Sequence, residues 1–384
     1  MKIKINSILL LLLLAMFISS CNNDGKEEET NNIASRILVD QLDDQAIVYL
    51  NHFLKEDTYM LDLYSRYKAL LNPYNRKYDS IATSGYTTRL IDYPSFMDAS
   101  GFITTFKEKP KNVAVLFSSY AEIWQLAGGT VNITVKETVD RKLVEMNDVS
   151  IVGAGSGKEI NYEQLLSLRP DLVILTADYE AQMQLADRLR MFQIPVLVLR
   201  VDSFLDYLKA LSMFTTILDT KNYYREYGNT VLGQVEAVVE RTQNTEKKPT
   251  VLFLRAYSYG AKVKTTNHFV GQMLKDLGAI NIAESKGFPL ETLSQEVIAS
   301  SNVDYIFISV MGEDEGAVRN YVQRELLAQP AFSSLTAVKE KKYYILPKDL
   351  FTFKPNARWG EAYLYLAKLL YPDTEFDSIM NEIQ

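Results

Sequence analysis

The residues with chemistry to offer are arginines and aromatic rings placed just beyond short apolar runs. Arg200 follows Pro195–Leu199, and Arg255 follows Thr250–Leu254. Tyr120, Tyr179, Tyr257, Met311 and Phe351 stand after other runs of the same kind, and Lys354, Arg358 and Trp359 lie further along. A guanidinium pairs with carboxylate or catecholate oxygens, and rings stack on planar groups. Ser119, Ser156, Asp178, Tyr259 and Glu313 occupy similar positions. The set suits a large, partly anionic, ring-bearing ligand. Each residue taken alone equally suits a structural role, and Trp359 could anchor a last helix in the core. Arg255 is the strongest candidate, because it directly follows a run fit for a central strand.

Enzymatic chemistry finds little here. The two histidines, His52 and His268, lie far apart and outside any metal-ligand spacing. Cys21 is the only cysteine, so no disulfide forms within the chain. There is no Gly-x-Ser-x-Gly elbow. Gly153-Ala-Gly-Ser-Gly-Lys158 suggests a phosphate loop only superficially: it lacks the four-residue gap and the following Ser or Thr, and Glu159 would repel phosphate. The net charge of -7, without a basic cluster interleaved with aromatics, points away from nucleic acid. No catalytic residue, resident cofactor or direct metal ligand is assigned.

The elements that must position these residues alternate. Strand-like runs at 112–117, 149–152, 172–176 and 195–199 are separated by helical runs at 121–126, 162–168, 180–191 and 204–218. The pattern restarts with strands at 250–254, 304–310 and 342–346 and helices at 269–277, 318–328 and 360–370. Such alternation predicts parallel sheets covered by helices. Between the halves, Asp219–Asn244 has no proline and repeats Tyr224, Tyr227, Val231, Val235, Val238 and Thr242 at helical spacing. Gly228 and Gly233 sit awkwardly in it. The expected fold is α/β: two Rossmann-like lobes with parallel sheets joined by one long helix. The 384 residues are enough for two domains of ordinary size.

A repeated motif supports equivalent lobes. Asn161-Tyr-Glu163 through Asp171-Leu-Val-Ile-Leu175 echoes Ser294-Gln-Glu296 through Asp304-Tyr-Ile-Phe-Ile308, with the same Glu-to-Asp spacing. Asn161 and Ser294 suit helix caps, and each glutamate complements a helix start.

The first residues form a targeting segment. Lys2 and Lys4 precede the apolar run Ile8–Ile18, which is short for a membrane span. The stretch ending Ser19-Ser20-Cys21 resembles a bacterial lipobox, whose cysteine is lipidated. Residues 22–32 read as a polar tether. Residues 33–95 read as a mostly helical extension of unknown role. The remaining boundaries are 96–218 for the first lobe, 219–244 for the connecting helix and 245–384 for the second lobe.

On these motifs, together with Thr250–Tyr257, Gly271–Gly278 and Leu346–Trp359, the chain resembles the substrate-binding proteins of ABC importers in the class that binds iron-siderophores, haem and cobalamin. The resemblance covers about Tyr93–Pro372. It implies a monomeric lipoprotein of the cell envelope, periplasmic or cell-surface. Such a protein captures a metal chelate, most readily a ferric siderophore, and hands it to an ABC permease with its ATPase. Haem or cobalamin is the alternative cargo, and a surface interaction lipoprotein reusing the fold is the alternative class. By the same resemblance, Glu163 and Glu296 dock on the permease.

Overall fold

The computed structural model describes residues 87–88 and 95–376, apart from 146–147, 244, 247, 286–297, 299–300, 302 and 313. Cys21, Ser294, Glu296 and Glu313 therefore lie outside the described residues. A small antiparallel sheet comes first, formed by β1 (Thr87–Thr88), β2 (Ser95–Met97) and β3 (Ile103–Thr105). Then follow β4 (Val113–Val115), α1 (Ser118–Leu126), β5 (Ile133–Val135), α2 (Lys136–Asp140) and β6 (Ser150–Gly153). The lobe continues with α3 (Tyr162–Ser167), β7 (Leu172–Thr176), α4 (Glu180–Met191), β8 (Val196–Leu199) and α5 (Phe204–Leu218).

Strands β4 to β8 make one parallel sheet in the order β6-β5-β4-β7-β8. β4, β7 and β8 are buried at every position, so their sequences read as unbroken apolar runs. The alternation of runs does not predict β5. Thr134 breaks its apolar run, and the fold satisfies that hydroxyl, which donates to the Val115 carbonyl at 2.9 Å.

The long helix expected at Asp219–Asn244 is present but not uniform. Asp219 adopts a left-handed φ of 54° and closes α5 instead. Helix then runs through Lys221–Tyr224, a π turn at Arg225–Asn229 and α6 (Thr230–Gln243). Gly228 lies in the π turn, where a Cβ would come within 3.0 Å of the Tyr224 ring. A Cβ at Gly233 would meet nothing within 4 Å, so packing does not explain that glycine.

The second half contains β9 (Thr250–Tyr257), β10 (Gly260–Val263), α7 (Phe269–Asp276), β11 (Ile280–Asn281) and β12 (Tyr305–Val310). It ends with α8 (Glu315–Tyr321), β13 (Tyr343–Ile345) and α9 (Trp359–Leu370). β9 pairs in parallel with β12 and β11, and β12 with β13. The second sheet is nevertheless mixed, because Ser258 and Tyr259 turn the chain back and β10 runs antiparallel to β9.

The repeated aspartates have a common structural use. Asp171 accepts backbone N–H groups of Lys111 and Asn112 at 2.7 and 2.9 Å, just before β4. Asp304 accepts the N–H of Thr250 at 2.8 Å, at the start of β9. Each carboxylate thus pins the entry of a central strand. Asn161 caps α3 as expected, accepting from the Gln164 N–H at 3.1 Å.

One apolar core is continuous through both halves. It includes Val113, Ile174 and Phe204, then Val235 of α6, then Phe253, Phe269 and Trp359. Trp359 meets Phe204 at 5.7 Å and Phe269 at 5.8 Å between ring centroids. α9 lies so close to α6 that a Cβ at Gly360 would come 2.3 Å from Gln234 Oε1. The connection is therefore α5, α6 and α9 packed together rather than a lone helix. Rotating the halves apart would expose this buried apolar surface, at about 25 cal/mol per Å², so small relative motions are expected. Among the described residues no helix is long and apolar enough to cross a membrane.

Candidate ligand cleft

Ligands of parallel α/β sheets settle beyond the carboxyl ends of strands where the strand order reverses. In the first sheet that point lies between β4 and β7. The residues that follow are Phe117 and Ser118 after β4, and Ala177 to Tyr179 after β7. In the second sheet the neighbouring ends of β9 and β12 carry Arg255, Tyr257 and Met311.

Gln182 of α4 joins the ends on the first lobe. Its Nε2 donates to the carbonyls of Leu116 and Gly157, both at 2.8 Å, and its Oε1 accepts from the Thr176 N–H at 2.8 Å. Gly157 has φ 85°, and a Cβ there would sit 2.6 Å from the Leu116 carbonyl oxygen, so this loop requires glycine. The loop brings Ser156 to the Tyr179 hydroxyl, which donates to it at 3.1 Å. Phe117 meets the Tyr179 ring at 5.9 Å, and Lys158 Nζ lies 5.8 Å from the same ring's centroid.

Arg255 lies within β9 rather than after it, opposite Lys262 and Ser309. It is half-buried, and its Nη2 donates to Met311 Sδ at 3.4 Å. Among the described residues Arg255 makes no ion pair. Burial pulls its pKa down, and the acidic groups that oppose this are Tyr257, Tyr179 and Asp178. Two of those belong to the other lobe, so the guanidinium lies within electrostatic reach of it. Tyr257 stacks on Tyr259 at 5.9 Å, and Tyr259 is 84% exposed. Arg200 is exposed and, among the described residues, hydrogen-bonds only the Ala177 carbonyl, at 3.5 Å.

The other expected ligand residues are placed differently. Tyr120, Phe351 and Trp359 are fully buried core side chains. Tyr120 directs its hydroxyl to the Leu199 carbonyl at 3.2 Å, and desolvation raises its pKa well above the usual phenol value. Arg358 is exposed, but its guanidinium is held by Asp349 Oδ2 and by both Glu361 oxygens, all at 2.7 Å. Those carboxylates raise its pKa further. A position next to an apolar run does not distinguish a side chain turned into the core from one turned into a cleft.

Sequence pattern does not reveal the residues that bridge the halves. Arg141 places its guanidinium 4.2 Å from the Phe353 ring centroid and pairs with Glu122 Oε2 at 3.2 Å. Asn356, whose φ is 52°, donates to the same Glu122 oxygen at 2.9 Å and to the Ser119 carbonyl at 3.0 Å. Burial raises the Glu122 pKa and lowers that of Arg141, each partly offset by the other. Lys354 meets Asp202 at 3.5 Å across the same boundary. The missing signal is β5: without it the segment carrying Arg141 has no place in the sheet. Asn356 offers none, because nothing in its neighbours announces a positive φ.

Residues 113–350 match the periplasmic binding protein family. The chain belongs to that family. It is 24% identical over 288 residues to YvrC of Bacillus subtilis, an uncharacterized ABC transporter substrate-binding lipoprotein, covering 72% of this chain and 85% of that one. It is 27% identical over 257 residues to the Bacillus subtilis Fe(3+)-citrate-binding protein YfmC, covering 65% and 77%. Among solved structures, IsdE of S. aureus in complex with heme superposes with a TM-score of 0.58 at 18% identity, covering 68% of this chain and 98% of IsdE. Staphylococcus aureus SirA with staphyloferrin B gives 0.55 at 19% identity, covering 76% and 99%. The fold is that of these two-lobe proteins, and the family is one of binding proteins.

Proposed function

We propose that this periplasmic binding protein captures an anionic iron chelate, most readily a ferric siderophore, between its lobes and delivers it to a permease. The observation that carries this is Arg255. It is a half-buried guanidinium at the strand-end crossing, within electrostatic reach of Tyr179 and Asp178 but in no ion pair among the described residues. Lys158 and Arg200 lie on the opposing lobe as further cations, outside any ion pair among the described residues. An anionic chelate would supply the missing counter-charge, and Tyr179 and Tyr257 would present ring faces to it. YfmC, named for binding ferric citrate, supports the same class of cargo. Tyr257 and Tyr259 could ligate a haem iron, so haem stays the alternative cargo, but two other candidate ligands among the described residues are engaged. His268 accepts from the Val270 N–H at 3.2 Å between the rings of Phe253 and Phe269, and Met311 Sδ meets Arg255.

Native mass spectrometry of the mature protein with ferric citrate, a ferric catecholate, haem and cobalamin tests this reading. A one-to-one complex with a ferric chelate is expected. Retention of haem or cobalamin alone would replace the cargo, and retention of none would favour an interaction lipoprotein. Glu163, exposed in the first turn of α3, is the permease contact on one lobe, with Glu296 as its counterpart. Glu163→Arg with Glu296→Arg should abolish uptake while chelate affinity survives; normal uptake would remove both from docking. Lipidation of Cys21 would anchor the protein in the envelope, as the name of YvrC suggests for that relative.

A further inference from the structure

A groove of about 280 Å³ opens on the first lobe, away from the cleft residues described above. It runs between the β2–β3 hairpin and the end of α4, and Phe102, Thr104, Arg190, Ile194 and Val196 are among its lining. The surface around it is unusually apolar: Phe102 is 50% exposed, Phe192 61% and Met191 82%. The hairpin forming one wall is firmly fixed. Asp98, buried, accepts the Val198 N–H at 2.9 Å and Arg190 Nη2 at 2.7 Å, and Arg190 lies 3.9 Å from the Phe102 ring centroid.

We propose that residues 33–71 of this same chain dock in this groove. Their sequence carries Ile37, Leu38, Leu42, Ile47, Leu50, Phe53, Leu54 and Leu61 near helical spacing, an apolar stripe that needs a surface to cover it. The chain enters the described residues at the groove's own wall. β1 lies two strands from β3, roughly 10 Å at the usual strand separation. Residues 72–86 can span roughly 50 Å when extended, ample to bring the segment back. Charge agrees in part: Arg190 is already paired with Asp98 and Asp187, but Arg188 stands beside it at the end of α4, whereas the segment carries Asp40, Asp43, Asp44, Glu56, Asp57 and Asp62 against four basic residues. IsdE is matched over 98% of its length by 68% of this chain, so the shared body does not need this segment. In a protein anchored at Cys21, docking would leave residues 22–32 as the free tether, about 40 Å at full extension.

The rival occupant is the permease, because Phe192 also lies 6.5 Å from the Tyr162 ring, next to Glu163. The test uses the mature chain with Cys21→Ser, which has no other cysteine, and Gln193→Cys carrying a photo-crosslinker. Peptide mapping should find crosslinks to residues 33–71, and a mixture of light and heavy isotope-labelled protein should show them to be within one molecule. Hybrid light–heavy products would assign the groove to a second copy and overturn the proposal. Crosslinks elsewhere, or only to permease in membranes, would overturn it too. Independently, deleting residues 33–71 should speed amide exchange at 102–105 and 190–196 by about fivefold or more. Unchanged exchange there would contradict docking.

Discussion

Arg255 and Arg358 lie in the same lobe, yet they are put to opposite uses. Arg255 is drawn into the cleft wall, where its guanidinium meets a thioether sulfur at 3.4 Å. Arg358 stands at the surface beside α9, engaged by two carboxylates from Asp349 and Glu361. The difference teaches where to look for a ligand: not at the most charged position, but at a desolvated charge that makes no ion pair among the described residues. Leaving a half-buried guanidinium without a carboxylate costs stability, and a binding site is one reason to carry that cost.

The boundary between lobes supplies the contrast that breaks or sharpens this view. At Glu122 the charges are paired within the protein, so Glu122→Ala should destabilise it by about 3 kcal/mol, leaving Arg141 and Asn356 facing a void. Chemical denaturation measures this; a change near zero would mean that the bridge does not hold the halves. Lys158→Ala should behave in the reverse way. It should weaken ferric citrate binding by roughly fivefold, about 1 kcal/mol, with stability unchanged because the side chain is exposed. Equilibrium titration and melting together would check both halves of that expectation.

Lys209 gives a third kind of cation, fully inside α5 and paired with Asp206 at 3.2 Å. Burial lowers its pKa from 10.5 to about 8. The folded state therefore releases this proton more readily than the unfolded state, and its contribution to stability is lost as pH falls through about 8 and recovered toward 10.5. Between pH 8 and about 9.5, below the tyrosine range, stability should rise by about 2 kcal/mol from this group. Lys209→Met should flatten that rise in a pH series of denaturation curves. The smallest effect belongs to Arg358→Ala: under about 1 kcal/mol of stability, as for other exposed pairs, and no measurable change in chelate affinity.

Much of this molecule is legible in its sequence because buried parallel strands leave continuous apolar runs. β4, β7, β8, β9 and β12 are all readable on that basis. β5 is not, because its central threonine breaks the apolar run and is satisfied by the Val115 carbonyl and the Thr138 hydroxyl. β10 is not, because a two-residue turn built from Ser258 and Tyr259 looks like any polar loop. The candidate site is half legible. Strand ends locate Tyr179, Arg255, Tyr257 and Met311, but not whether the next side chain turns inward, as Tyr120 does. The Glu122–Arg141–Asn356 bridge joins residues more than 200 positions apart, and local pattern carries no trace of it.

The charge held open at Arg255 is tested most directly by calorimetric titration of ferric citrate into the wild-type protein, Arg255→Ala and Arg358→Ala. Arg255→Ala should weaken binding by about 30-fold, equivalent to about 2 kcal/mol for a charged hydrogen-bonded contact, while Arg358→Ala stays within about threefold of wild type. Tight binding preserved in Arg255→Ala, or an equal loss in both variants, would contradict the assignment of the cleft.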